Sequence, residues 1–347
     1  MNIPLGGQTD FFGLDIGTTA LRAVQLKGTG AVKVLESYGM LPIEGTITMS
    51  DAPADRTKTA EKIRELVSKT GLSTKNVAAN IPSQKVFTAI VDMDKMSDEE
   101  LAKSIRYQAD SFIPTALADS KIDWAILGDS PKDAKKVEVL LSSVPVAFVE
   151  ARLQMLEAAG LSVVAIEPDG MALSRSIIPA DAASPQMVLD IGNMNTDLVI
   201  VMNGGPRLVR AIPTGSATIV RSAMQHLAID QTQAEQFVFK FGLSKDKLEG
   251  RVYGAIINSI ESLMSEIEKS IKFFNERYTT LRIERIIVTG GASSMPELPL
   301  YIANKFGISV EIGNAWTNVS FPADKQNELM AISNHFGVAA GLAERSG

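Results

Sequence analysis

The 347-residue chain has no cysteine, two histidines and a formal charge of −6. The missing cysteines exclude disulfides, thiolate metal sites and thiol nucleophiles, and they fit a reducing cytoplasm. The acidic balance, without any stripe of Lys and Arg, excludes broad nucleic-acid binding.

At about 100–200 residues per domain, the length predicts two or three compact units. No run of about 18 apolar residues exists, so no segment is expected to span a membrane. Residues 1–10 have neither the basic residues nor the apolar core of a signal peptide. His226 and His335 have no metal-ligand spacing and read as helix or loop residues.

Residues 11–16, 21–26 and 31–37 read as strands joined by Gly-rich turns. A helix is predicted over 55–69, with Ala60, Ile63, Leu66 and Val67 at helical spacing and Gly71 as its stop. Residues 77–81 form a buried strand closed by Pro82. From Val86 the order is strand (86–91), helix (97–111), strand (121–127), strand (137–144), helix (145–159) and strand (161–166). This reads as a small α+β unit inserted in the first half.

Residues 187–191 then repeat the opening theme: an apolar run ending in Asp-Ile-Gly, a second strand (198–202), the turn Asn203-Gly204-Gly205 and a third strand (207–212). A repeat on this scale predicts two related lobes. Helices follow over 216–227 and 234–241. A long amphipathic helix follows over 252–277, with Ile256, Ile260, Leu263, Ile267 and Ile271 on one stripe. A strand (283–289) leads into Gly290-Gly291-Ala292-Ser293, then a helix (296–306) capped by Gly307, a strand (308–312) and a closing helix (334–343).

Three motifs carry chemistry. In Asp15-Ile16-Gly17-Thr18-Thr19 a strand ends and turns straight back, so that backbone N–H groups converge and can cradle a phosphate. Gly17 allows close backbone approach, Thr18 and Thr19 add hydroxyls, and Asp15 is placed to hold a hydrated Mg2+. Taken alone, this stretch is equally well a plain hairpin. Asp190-Ile191-Gly192-Asn193-Met194-Asn195-Thr196 repeats the pattern in the second lobe. Two such turns facing each other would clamp a polyphosphate, with Asp15 and Asp190 flanking one Mg2+ and Asn195 and Thr196 at the polar tip. Asp197 reads as a solvated strand residue, the alternative being support for the turn. Gly290, Gly291 and Ala292 follow a buried strand and precede a helix expected to start near Ser294. They suit a flat surface for an adenine base, or an ordinary strand-to-helix connection.

These motifs, in this order and over nearly the whole chain, resemble the phosphate-1, phosphate-2 and adenosine signatures of the actin-like ATPase superfamily. The resemblance implies an α/β, two-lobed actin-like (ribonuclease H-like) fold with a small α+β domain inserted in the first lobe. It assigns 10–85, 167–185 and 330–347 to the first lobe core and 86–166 to the insert. It assigns 186–213 and 281–329 to the second lobe core and 214–280 to a helical subdomain. The insert's position resembles FtsA and the PilM family. Residues 11–26, 105–127 (with Ile113-Pro114 and Asp123-Trp124), 156–173 and 337–342 resemble PilM proteins in particular. The chain is expected to lack the C-terminal amphipathic membrane helix of FtsA-like proteins.

The resemblance implies ATP with Mg2+ as ligand and at most slow hydrolysis. It makes Glu167, just before Pro168, either a water-positioning or metal-linked carboxylate or a capping residue. Glu235 stands where the family's Ala-Glu-x-x-Lys helix reaches the ribose, but Val238 replaces the lysine and Lys240 lies on another face. Glu235 is otherwise a surface residue. PilM-like proteins lie beneath the inner membrane and bind the short cytoplasmic N-terminal segment of a PilN-like membrane protein, in a groove between first-lobe core and insert. Other pilus platform or motor proteins are further expected partners. Here the groove wall is expected near 86–92 and 104–113, although the apolar face of Ile105, Ala109 and Phe112 is equally a core face. Three other readings are a filament-forming FtsA-like protein, a sugar- or acetate-kinase-like phosphotransferase, and a degenerate actin-like scaffold that binds no nucleotide.

Overall fold

The computed structural model describes residues 10–345 except 29, 31, 45, 46, 51, 109, 110 and 180. Ala109 and residues 1–9 therefore lie outside the described residues. The chain divides into two compact units. The first comprises residues up to Ala172 with Gly205–Leu208 and the residues from Val338 onward; the second comprises Leu173–Gly204 and Val209–Gly337.

The first unit opens with β1 (Phe12–Ile16), β2 (Ala20–Lys27) and β3 (Lys33–Pro42), followed by α1 (Pro53–Thr70) and β4 (Asn76–Ile81). Then come β5 (Phe87–Asp94), α2 (Asp98–Gln108), β6 (Ser120–Asp129), β7 (Lys136–Pro145), α3 (Val146–Ala158), β8 (Ser162–Pro168) and α4 (Asp169–Ile177). Within the large sheet the strands β3-β2-β1-β4-β8 are successive neighbours in that order. β1 pairs antiparallel with β2 and parallel with β4, and β4 pairs parallel with β8. Covered on both faces, β1 is buried throughout, which is why it reads as an unbroken apolar run. α1 starts on Pro53 and stops at Gly71 in the left-handed conformation. Its Ile63 and Leu66 pack on Phe12 and Leu14 together with Met155 and Leu156 of α3.

β8 thus belongs to the large sheet and α3 packs on it, although chain order groups both with the insert. The small sheet contains only β5, β7 and β6, in that order. α2 covers one of its faces. Leu101, Ile105 and Ile113 pack there against Val91, Met93, Val139 and Leu141. Ile105 is therefore core, while Phe112 is exposed. Ser97 and Glu100 form a reciprocal capping box at the start of α2, with the Glu100 carboxylate accepting from Ser97 N–H at 3.1 Å and from Ser97 Oγ at 2.8 Å.

The second unit carries β9 (Gln186–Ile191), β10 (Thr196–Met202), β11 (Gly205–Ile212, of which residues 205–208 group with the first unit), α5 (Ser216–Leu227), α6 (Gln231–Phe241) and α7 (Arg251–Arg277). It continues with β12 (Arg285–Thr289), α8 (Leu298–Phe306), β13 (Ser309–Ile312) and α9 (Gln326–Ile332), before α10 (Gly337–Ala343). Its sheet order, β11-β10-β9-β12-β13, repeats β3-β2-β1-β4-β8 strand for strand. On α7, Ile256, Ile260, Leu263 and Ile267 are buried and Phe274 continues the stripe, whereas Ile271 is half-buried.

Two helix starts differ from expectation. No helix begins at Ser294. Residues Gly291–Ser294 form a 3-10 turn closed by the Ser293 and Ser294 hydroxyls, and Glu297 in the left-handed region delays α8 to Leu298. The closing helix likewise splits into a 3-10 turn, Ser333–His335, and α10.

Residues 338–343 of α10 sit backbone to backbone in the first unit. A Cβ on Gly13 of β1 would meet the Ala339 carbonyl at 2.2 Å, and one on Gly341 would meet the Ala172 carbonyl at 1.9 Å. Lys33 Nζ donates to the carbonyls of Ala343, Glu344 and Arg345 at 3.0–3.3 Å, completing the helix's C-terminal end. Among the described residues no helix is long and apolar enough to cross a membrane.

Candidate functional site

Asp15 pairs with Arg22 one step before the β1–β2 ladder closes at Ile16, and the chain reverses through Gly17, whose N–H donates to the Ala20 carbonyl at 3.2 Å. A Cβ at position 17 would lie 2.9 Å from the Ala20 carbonyl and 3.1 Å from Arg22 Nη1, so this position must stay bare. Thr18 is half-buried and Thr19 exposed. Asp15 Oδ2 accepts from Arg22 Nη1 at 3.1 Å, and Oδ1 accepts from Asn80 Nδ2 at 3.2 Å. Burial pushes the Asp15 carboxyl above its ordinary value; Arg22, and more weakly Arg152, pull it back. The Asn80 amide also donates to Asp169 Oδ1 at 2.9 Å and accepts from Ile16 N–H at 2.8 Å. Arg22, Asn80 and Asp169 were not singled out in the sequence.

In the second unit, Gly192 N–H donates to the Asn195 carbonyl at 2.9 Å, the counterpart of the Gly17 turn. The start of α5 is stitched to this turn: Ser216 N–H donates to the Gly192 carbonyl and Ala217 N–H to the Asn193 carbonyl, both at 2.9 Å. Gly215 makes this approach possible, since its Cβ would lie 2.4 Å from the Asn193 carbonyl. Asp190 is half-buried beneath the turn.

Three expectations change here. Thr196, expected at the polar tip, is fully buried and its hydroxyl donates to the Thr214 carbonyl at 2.7 Å, which braces the turn. Asp197 is buried, not solvated, because the Asn195 amide donates to it at 2.7 Å. Ala292 is fully buried beneath the glycine loop.

The glycine loop lies against Asp190. A Cβ on Gly290 would stand 2.3 Å from Asp190 Oδ1, and its φ of +83° belongs to glycine. Asn334 fastens the loop, its carbonyl accepting from Gly290 N–H at 2.8 Å and its amide donating to Ser293 Oγ at 2.8 Å. His335 flanks Gly291, whose Cβ would approach its ring at 3.6 Å. Glu235 lies exposed on α6 and accepts from Gln231 Nε2 at 2.9 Å. Val238 is fully buried, which explains the absence of lysine there: the position serves the core. Lys240 Nζ lies over the Phe241 ring.

A second feature belongs to the first unit alone. An apolar groove of about 230 Å3 is walled on one side by Lys121, Asp123 and Ala125 of β6 with Leu140, Ser142 and Val144 of β7. Its other side is β8, from Val163 to Pro168, with Val149 and Leu153 of α3. Alternation on β7 explains the wall: Val139 and Leu141 turn to the α2 core, and Leu140, Ser142 and Val144 turn the other way. The described residues of 86–92 and 104–113, where a groove wall was expected, do not line this groove. Glu167, which the sequence left as catalytic or capping, lines this groove from within β8 and pairs with Arg345 at 3.5 Å.

The family model for type IV pilus assembly protein PilM matches residues 13–347. A solved PilM–PilN type IV pilus biogenesis complex superposes with a TM-score of 0.82 at 23% identity, covering 97% of this chain and 98% of that one. Ethanolamine utilization protein EutJ from Carboxydothermus hydrogenoformans follows at 0.59 and 15% identity, covering 100% and 93%. MreB5 of Spiroplasma citri bound to AMPPNP gives 0.54 at 14% identity, covering 96% and 95%. These neighbours place the fold among the actin-like ATPases. With the family match spanning both Asp-Ile-Gly turns, the glycine loop and the groove, the chain belongs to the PilM family of type IV pilus assembly proteins.

Proposed function

We propose that this protein binds ATP with Mg2+ and holds an extended segment of a PilN-like membrane protein, acting as a cytoplasmic adaptor of the pilus assembly platform at the inner membrane. The groove carries this reading. It lies beside β6, an outer strand of the small sheet, and β8, the last strand of the large-sheet order, and its apolar floor suits alternate side chains of an extended peptide. Lys121, Asp123, Glu167 and Arg345 supply charges of both signs for selectivity. The superposable PilM–PilN complex supports a partner of this kind.

For the nucleotide, each unit offers one set of groups. In the first, Asp15, Gly17, Thr18 and Thr19 form the phosphate-1 turn, with Arg22 adding a cation. In the second, Asp190, Gly192, Asn193 and Asn195 form the phosphate-2 turn, with Gly290 and Gly291 as the adenosine surface. The bare seats at Gly17 and Gly290 fit such a ligand, since a Cβ at either would collide. Among the described residues no cluster of three or more acidic or histidine side chains can hold a metal alone. Mg2+ is accordingly read as arriving with the phosphates, and Asp15 in the first unit and Asp190 in the second are each a candidate carboxylate for it. When bound, it neutralises charge on the phosphates; positioning would carry any slow hydrolysis.

Calorimetry tests this directly. MgATP is titrated into the wild type and Asp190→Ala, followed by a synthetic peptide of the cognate PilN N-terminal segment. MgATP binding lost in the variant, with peptide affinity shifted by MgATP in the wild type, supports the reading. Absence of both binding events overturns it.

A further inference from the structure

We infer that Asn80 is the positioning residue that links occupancy of the groove to the conformation of the phosphate-1 turn. The inference rests on the nucleotide and peptide reading above and names the connection inside the first unit.

β4 is the single strand between β1, which carries the Asp15 turn, and β8, which walls the groove. At its end, Ile81 lines the groove and pairs in register with Pro168, while Asn80 pairs with Glu167. On the opposite edge, the register between β1 and β4 runs from Phe12↔Val77 to Leu14↔Ala79. Beyond it, the Asn80 side chain takes over, with Oδ1 accepting from Ile16 N–H at 2.8 Å. Asn80 Nδ2 bridges two buried carboxylates, Asp15 at 3.2 Å and Asp169 at 2.9 Å.

The amide can sit only one way round. Flipping it would turn its oxygen toward both carboxylates and its N–H groups toward the Ile16 N–H. One rigid planar group thus holds the backbone of the turn, the turn's carboxylate and the first residue after β8. Asp169 follows Glu167 and Pro168 directly, so a peptide that shifts this stretch of the groove wall shifts one of the two acceptors on Nδ2. The amide must follow, and both Ile16 N–H and Asp15 are attached to it. By linkage, a ligand that fixes Asp15 biases the groove wall by the same free energy. A buried amide with a merely structural role would satisfy its partners and leave the two places independent.

The decisive experiment is hydrogen exchange on the full chain without nucleotide, with and without the synthetic PilN peptide. Slower or faster exchange in residues 12–20 on peptide addition, with residues 186–202 unchanged, is the expected result. Peptide binding that leaves 12–20 unchanged overturns the role of Asn80, whether or not any variant folds. A second arm measures the ratio of peptide Kd without and with saturating MgATP. We expect about fivefold or more in the wild type, within the usual range of coupling, and near one in Asn80→Ser. A wild type with no shift removes the nucleotide-gated reading and this role with it. A wild-type shift retained in folded Asn80→Ser removes only the role of Asn80.

Discussion

Asp190 occupies the space that a side chain at Gly290 would need, with a Cβ on Gly290 falling 2.3 Å from Asp190 Oδ1. The strand that carries Asp190 and the glycine loop are therefore fitted closely to each other. Gly290→Ala must distort the loop, push Asp190 aside or both, on a backbone already at positive φ. Strain of this kind costs about 1–3 kcal/mol. The expected outcome is a lower urea midpoint and at least about tenfold weaker MgATP binding, tenfold being about 1.4 kcal/mol. Unchanged affinity would separate the loop from the nucleotide site.

Asp15 gives a pH prediction. Its carboxyl is raised above the ordinary 3.8 by burial, so the folded protein holds this proton more tightly than the unfolded chain does. The folded state therefore loses stability as pH rises from below 3.8 through the raised folded value, and remains penalised at neutral pH. Asp15→Asn removes the charge while keeping the shape. We expect a higher Tm than wild type at pH 7, a gap that narrows in acid, and loss of MgATP binding, the usual exchange of stability for function. A lower Tm at pH 7 would mean that the lost Arg22 pair outweighs burial.

The groove is tested by filling it. Ala125 is exposed on β6 and lines the wall, so Ala125→Trp adds bulk without disturbing the core. Peptide affinity should fall by more than about tenfold, or about 1.4 kcal/mol. Stability should move within about 0.5 kcal/mol, as at other surface positions, and MgATP titration should be unaltered. Retained peptide affinity would place the peptide elsewhere.

Lys33→Met removes the cation that serves the three last carbonyls around α10. Losing such a contact at a helix C-terminus costs about 0.3–1 kcal/mol. A small drop in Tm, reproduced in wild type by high salt, is the expected result. No drop would show that water serves these carbonyls equally well.

Legibility in the sequence followed the range of the interactions. The two Asp-Ile-Gly turns were readable because buried strands leave apolar runs and each turn is local. Asn80 was not, because its partners Asp15 and Asp169 lie 65 and 89 residues away and no spacing announces them. Asn334 and His335 were hidden similarly, in a stretch that reads as the start of a helix. The groove along β6, β7 and β8 was not legible because the α2 face holding Ile105 is as apolar as the β7 face holding Leu140, and periodicity marks burial without saying against what. Asp197 reads as solvated until the Asn195 amide is seen to satisfy it.

The seating of α10 also has a mechanical consequence. Interfaces cushioned by long side chains can creep, each rotamer change absorbing a fraction of a slide. Gly13 against the Ala339 carbonyl, and Gly341 against that of Ala172, leave nothing to rearrange. Such a joint behaves as a weld and not as a bearing. Residues 338–343 of α10 and the strand that carries Asp15 are therefore expected to move as one piece.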